Sequence, residues 1–225
     1  MKTKHAALIA TLLLNTYLLT GCSFAMKGKI FDIVTGNGIA KAKVSIKLND
    51  DKTRDEEAND EGSYRIKKDD KDQEVTYTAD NYESFTTTIK KDKTKDVYLV
   101  PTPEETARRI VQAMIDKDYS TAYLYLHPNY KGILTEEKFR QENEGEFASY
   151  LELVKEFRIA EVRDLESYRD ESMKKTYEGV KSITAVLVMD LEGKVENTWE
   201  IILFRVKDAD GKDYWHWLFN RTSNT

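Results

Sequence analysis

The chain has 225 residues, with 35 lysines and arginines against 40 aspartates and glutamates, so its formal net charge of −5 offers no general attraction for nucleic acid. One-third of the residues are charged, yet 40% are hydrophobic, enough apolar content for packed cores and too much for a disordered tail. A single cysteine excludes an intramolecular disulfide, so the fold must be held by its cores.

The chain opens with a basic stretch, MKTKH, followed by an apolar run from Ala6 to Leu19. A charged n-region before a short apolar h-region is the layout of a secretory leader. The run falls short of the roughly 20 residues that a helix needs to cross the hydrocarbon core, so it predicts no permanent span. It ends in Leu19-Thr20-Gly21-Cys22, which resembles the lipobox of bacterial lipoproteins. That resemblance implies that residues 1–21 are removed and that Cys22 becomes a diacylated N-terminus, with residues 22–25 as anchor and short linker. Two acyl chains anchor stably where one binds only marginally. The implied address is the extracytoplasmic face of the cell membrane, and the one thiol is withdrawn from redox, metal or catalytic work. Without its leader the chain carries 33 basic and 40 acidic residues.

Residues 26–100 alternate with a period of two. Ala42, Val44, Ile46 and Leu48 share one face, as do Tyr64 with Ile66, Val75 with Tyr77 and Ala79, Phe85 with Thr87 and Ile89, and Val97 with Leu99. Turn signals separate the runs, at Thr35 to Gly38, Asp60 to Gly62 and Asp80-Asn81. Short alternating strands at this spacing predict an antiparallel sandwich. The polar stretch from Asn49 to Asp60 reads as a loop, and its acidic residues lack the order of a calcium-binding loop. The segments GKIFDIVTGNGIAKAKVSI, NDEGSYRI and ADNYESFTTTI resemble the carboxypeptidase regulatory-like domain, a transthyretin-like sandwich without catalysis of its own. Asn81-Tyr82 stands where that family usually has Gly-Tyr, and asparagine tolerates positive φ.

Three prolines occur, at 101, 103 and 128, and the first two mark a boundary between strand and helix patterns. Thr102, Pro103 and Glu105 fit a helix start with a capping box. Ala107, Ile110, Val111 and Met114 follow as one apolar stripe. A short helix begins at Asp118-Tyr119 and stops at His127-Pro128. A third is expected over TEEKFRQENEGEFASYL, with Phe139 and Phe147 inside. Four long strands follow, the last two joined at Asp210-Gly211, a strong hairpin signal. In ITAVLVM and WEIILFRV apolar residues point both ways, so both faces of the sheet are expected to be covered, one by the helices and the other by the first domain, a second copy or a partner. Residues 101–225, above all TPEETARRIVQAMIDKDYSTAYLYLHPNYKGILTEEKF, resemble the NTF2-like membrane-proximal domain of some penicillin-binding proteins. This implies an α+β cone of three helices on a curled antiparallel sheet.

Candidate chemistry is sparse. Ser172-Met173-Lys174-Lys175 matches Ser-x-x-Lys, but in a charged stretch without the partner motifs of a transpeptidase. His127 and His216 make no recognisable zinc set, and no cofactor is implied. His127 reads as a helix-terminal histidine near a C-terminal dipole, or as a pocket base, with Tyr123 or Tyr130 orienting a ligand. Trp215 and Trp217 read as core, or as an aromatic lining for a carbohydrate or peptide. The function expected is a membrane-anchored, non-catalytic binding or scaffolding module for an envelope protein or cell-wall ligand, with a dimer through the sheet face as a further possibility. An NTF2-like small-molecule enzyme and an inhibitor or immunity-type lipoprotein stand as alternatives.

Overall fold

The computed structural model describes residues 25–49, 52–90, 94–190 and 193–219; the leader, the lipobox and Cys22 lie outside the described residues. The protein is a mixed, mostly β structure in which sheets come first, then short helices, then a four-stranded antiparallel sheet.

The first half holds β1 (Ala25–Asp32), β2 (Lys43–Asn49), β3 (Lys52–Glu57), β4 (Ser63–Lys67), β5 (Gln73–Thr78), β6 (Phe85–Ile89) and β7 (Val97–Leu99). They form two sheets, ordered β4-β1-β7 and β3-β2-β5-β6. Most of the period-two residues do what their spacing requires, but Phe85, expected on the buried face of its strand, is 42% exposed. Val44, Ile46, Tyr64, Ile66, Val75, Tyr77, Ile89, Val97 and Leu99 all enter one core with Met26 and Ile30. Asn81 adopts φ +68, so it supplies the left-handed turn that glycine would otherwise provide.

Two features depart from the sequence reading. Residues 52–57, expected as loop, are strand β3, paired antiparallel with β2 from Lys43↔Glu57 to Asn49↔Lys52. The strand buries neither face, so hydrophobic periodicity could not reveal it. Its support is the backbone ladder and a Lys43–Asp55 ion pair at 2.8 Å, and its charges protect a sheet edge from further pairing. The sandwich is also not wholly antiparallel, because β7 runs parallel to β1, with Ile30↔Val97 to Asp32↔Leu99 in register. That direction delivers the chain to Pro101 beside Asp32, where the second half begins.

The second half holds α1 (Pro103–Ile115), α2 (Tyr119–Leu124), α3 (Pro128–Lys131), α4 (Glu136–Asn143) and α5 (Glu146–Leu151), then β8 (Val154–Asp170), β9 (Lys175–Asp190), β10 (Lys194–Lys207) and β11 (Asp213–Leu218). Thr102 caps α1 by accepting the Glu105 amide at 3.2 Å. The reciprocal bond of a capping box is not made. The Thr102 amide goes to the Asn81 carbonyl and the Glu105 carboxylate to Arg109. The expected third helix is broken at Glu144-Gly145 into α4 and α5, which buries Phe139 completely and leaves Phe147 37% exposed.

The apolar stripe of α1 packs against Ile183, Ala185, Leu187, Met189, Ile201 and Leu203 on one face of the sheet. The other face was expected to need a covering layer or a second copy. Instead, three ion pairs cross β9 from β8 to β10: Glu156–Lys194 at 3.1 Å, Arg158–Glu196 at 3.2 Å and Arg163–Glu200 at 3.4 Å. Register places Arg158 and Glu156 opposite Val186 and Val188 on one side, and Thr198 and Glu196 opposite them on the other. The two valines are only 7% and 6% exposed beneath this roof. The stems of long charged side chains shield apolar surface while their heads stay in water, so the outward valines are shielded within the chain itself.

Candidate functional site

Of the five residues that the sequence offers as ligand-binding, Tyr130, His127, Trp215 and Trp217 are buried in the interior or at the joint between the halves, and Tyr123 is half-buried against the core. Tyr123 donates to the Leu134 carbonyl at 2.9 Å. Tyr130 donates to buried Asp170 and lies 2.7 Å from Ser172 Oγ. Trp217, 1% exposed, makes edge contacts with Phe139, Trp199 and Phe219. Trp215 donates its indole N–H to Glu83 at 2.8 Å. His127 stands at an N-terminus, not a C-terminus: its Nδ1 accepts the Asn129 amide at 3.1 Å and starts α3. A buried imidazole that accepts an amide proton has to be neutral, and burial, helped by the Lys175 charge, pushes its pKa down to about 4. Ser172-x-x-Lys175 has no catalytic geometry, since Ser172 Oγ donates to Asp170 at 2.7 Å and Lys175 lies over the Tyr177 ring.

His216 is fully buried on β11, with its ring 6.2 Å from that of His127. Burial foremost, then Lys131 and His127, lower its pKa to about 4, against the smaller opposing pull of the Leu126 carbonyl. Neither ring nitrogen of His216, nor Nε2 of His127, makes a hydrogen bond among the described residues. Aromatic rings surround the pair: Tyr177 and Phe204 on His127, Tyr214 on His216. Among the described residues no group of three or more potential metal ligands converges.

The polar chemistry of the molecule concentrates instead where the two halves meet. Asp32 ends β1 with its side chain buried. Its Oδ1 accepts the amides of Val34 and Thr35 at 2.8 and 2.9 Å. Its Oδ2 accepts Tyr82 Oη at 2.8 Å and Arg109 Nη1 at 2.5 Å. Arg109, from α1, spends its other donors on Glu105 at 2.8 Å, Tyr125 at 3.2 Å and Tyr82 at 2.8 Å. Burial pushes the Asp32 carboxyl up, but the Arg109 bond and charge, the Thr35 amide and Tyr82 together hold it below the usual carboxylate range. Burial pushes Tyr82 up to about 12, so it remains a protonated donor at neutral pH. A second lock lies alongside: Glu83 accepts Arg205 Nη1 at 2.5 Å as well as the Trp215 indole. The Glu83 amide donates to the Val100 carbonyl at 2.8 Å, so the Asn81–Glu83 turn is fastened through backbone and side chains alike.

Beside Arg109 opens a cleft of about 640 Å³, walled by the β1–β2 loop and by α1, with Asn37, Arg108, Gln112 and Asp116 among its lining residues. None of the five sequence-selected residues lines it. Its floor is a network in which Asp32, Tyr82 and Arg109 pair with one another. Sequence reasoning missed Asp32, Tyr82, Glu83, Arg109 and Arg205. The one available signal was Asp32 itself, a carboxylate set between Phe31 and Ile33 at the end of an alternating strand.

No family model and no curated protein matches the chain. Among solved structures it is similar to a Bacteroides fragilis NCTC 9343 protein, described as membrane-associated and of unknown function, at 14% identity and a TM-score of 0.25. The match covers 73% of this chain and 59% of that one, so the chain spans less than two-thirds of that protein's length. Among the described residues no helix is long and apolar enough to cross a membrane.

Proposed function

We propose that this protein is a lipid-anchored envelope protein whose two halves, a transthyretin-like sandwich over 26–100 and an NTF2-like module over 101–225, act as one rigid, non-catalytic scaffold. The sandwich stands nearest the membrane and the second module is held outward to meet an envelope protein or cell-wall ligand. The observation that carries this reading is the double lock between the halves, Asp32–Tyr82–Arg109 and Glu83–Arg205–Trp215. A buried ion pair is weak evidence of added stability, so we read Asp32–Arg109 as a device that fixes the relative orientation of the halves, as a spacer needs. The packed histidines and tryptophans support the same reading, because the residues best suited to acid–base work or stacking are committed to the interior.

The test is expression of the full chain in a bacterium, extraction of membranes with detergent and intact-mass measurement. A mature chain starting at Cys22 with a diacylglyceryl addition, lost in Cys22→Ala, is the expected result. A soluble chain without that addition refutes the anchor. Cross-linking in the same membranes should trap one recurrent envelope component, and Asp32→Asn with Glu83→Gln should reduce that product by loosening the joint.

A further inference from the structure

The strand register separates charge along the sandwich. Ala25 pairs with Lys67, Asn49 with Lys52 and Gln73 with Ile89, so the start of β1, the β2–β3 turn, the β4–β5 turn and the end of β6 share one end. Over residues 25–29, 47–49, 52–54, 65–74, 89–90 and 94–96, that end carries eleven basic and five acidic residues. The opposite end, over 32–42, 56–62 and 79–84, carries one basic and seven acidic residues. Lys27, Lys67, Lys71 and Lys90 are exposed at the basic end. Composition hides this polarity, because the whole chain is acidic.

The described chain begins at the basic end. Ala25 lies three positions after Cys22, a reach of about 10 Å at full extension. The screening length at physiological salt is about 8 Å. We infer that the basic end of the sandwich is a docking surface for anionic lipid headgroups, holding the protein upright on the bilayer. The occupant follows from charge and position: a membrane reached through Cys22 would meet this end first, while the acidic end and the acidic second half would be turned away. The orientation rests on the anchor reading; the headgroup affinity does not.

The chain from Ser23 onward contains all residues of both cores and no acceptor thiol, which separates headgroup binding from anchoring. Flotation with phosphatidylcholine vesicles, and with vesicles containing about 30% phosphatidylglycerol, reads it directly. Each basic residue near an anionic surface is worth up to about fivefold in partitioning. The expected result is at least tenfold more protein on the anionic vesicles, abolished at about 0.5 M salt. Substituting Lys27, Lys67, Lys71 and Lys90 by Glu should remove at least tenfold of that binding. The same change at Lys138, Lys155, Lys174 and Lys207, equal in charge but in the second half, should alter it less than threefold. Equal binding to both vesicle types, or equal losses from the two quadruple variants at matched thermal stability, overturns the inference. If the first quadruple variant fails to fold, the lipid and salt dependence of the unaltered chain decides. A missing diacylglyceryl mass would refute the anchor and leave this result standing.

Discussion

Arg109→Met offers the sharpest test of the joint. The substitution keeps the apolar stem of the side chain and removes the cation, so Asp32 stays buried with Tyr82 and two amides but no counter-charge. Breaking one side of a buried pair costs about 3–5 kcal/mol. Asp32 retains three of its four hydrogen bonds and the adjoining cleft admits water, so the lower end, about 3 kcal/mol at pH 7, is expected. With a urea m-value near 2 kcal/mol/M, that is a midpoint shift of about 1.5 M. The pH dependence identifies the cause. In the native protein the Asp32 pKa is depressed, so its contribution is present above the ordinary carboxylate pKa and is lost as pH falls through the native value. In the variant the arginine is gone and burial dominates, so the carboxyl pKa rises and protonation relieves the penalty. The difference between the two proteins should therefore shrink from about 3 kcal/mol at pH 7 to about 1 kcal/mol near pH 4. All three tryptophans lie in the second half, so fluorescence follows that half and far-UV circular dichroism follows both. The two transitions should coincide in the native protein and separate in the variant. A loss below 0.5 kcal/mol, or one that stays constant between pH 7 and pH 4, would show that Arg109 is not the lock described.

The histidines, two glycines and Glu83 give further expectations. His127 and His216 have folded pKa values lowered from 6.5 to about 4, so the unfolded chain binds more protons between those limits. Stability from this source is full above about pH 6.5 and falls with acid by up to about 1.4 kcal/mol per pH unit per histidine. His216→Leu, which also removes two orphaned nitrogens, should roughly halve that slope in denaturant titrations; an unchanged slope would contradict the assignment. Gly62 adopts φ +76, and a Cβ there would sit 2.5 Å from the Ile30 carbonyl oxygen, so Gly62→Ala should cost at least about 3 kcal/mol. Gly211, at φ +79 with nothing within 4 Å, should lose only about 1–2 kcal/mol as alanine, and equal melting shifts for the pair would refute the steric argument. Glu83→Ala leaves Arg205 with only Asp213, at 3.5 Å, and the Trp215 indole without its acceptor, and should cost about 1.5 kcal/mol by urea unfolding, with altered tryptophan emission as a local readout.

Much of the architecture was legible because burial imposes a period. Val44, Ile46, Val75 and Tyr77 alternate because a strand has two faces, and Ala107, Ile110, Val111 and Met114 recur at helical spacing because α1 buries one stripe. Strand β3 was illegible for the converse reason, since Lys52 to Glu57 bury neither face and a hydrogen-bond ladder leaves no mark on side-chain choice. The break at Gly145 was masked by flanking residues that suit a helix on either side. On the sheet, the alternation around Val186 and Val188 was read correctly as outward apolar residues. That their cover would come from Arg158 and Glu196 across β9 depends on register, which one strand alone does not specify.

The candidate site divides along the same line. By itself the sequence determined the alternation of the strands that bury one face, the apolar stripe of α1 and the turn signals between them. Only the tertiary structure decided that His127, Tyr130 and Trp217 belong to the packed interior and that Asp32, Tyr82, Glu83, Arg109 and Arg205 form the two polar locks at the joint. Asp32 and Arg109 are 77 residues apart, and Glu83 and Trp215 are 132 apart. Local patterning records which face of an element is buried, whereas a hydrogen bond between distant carboxylate and guanidinium groups exists only once two separately specified surfaces have been brought together.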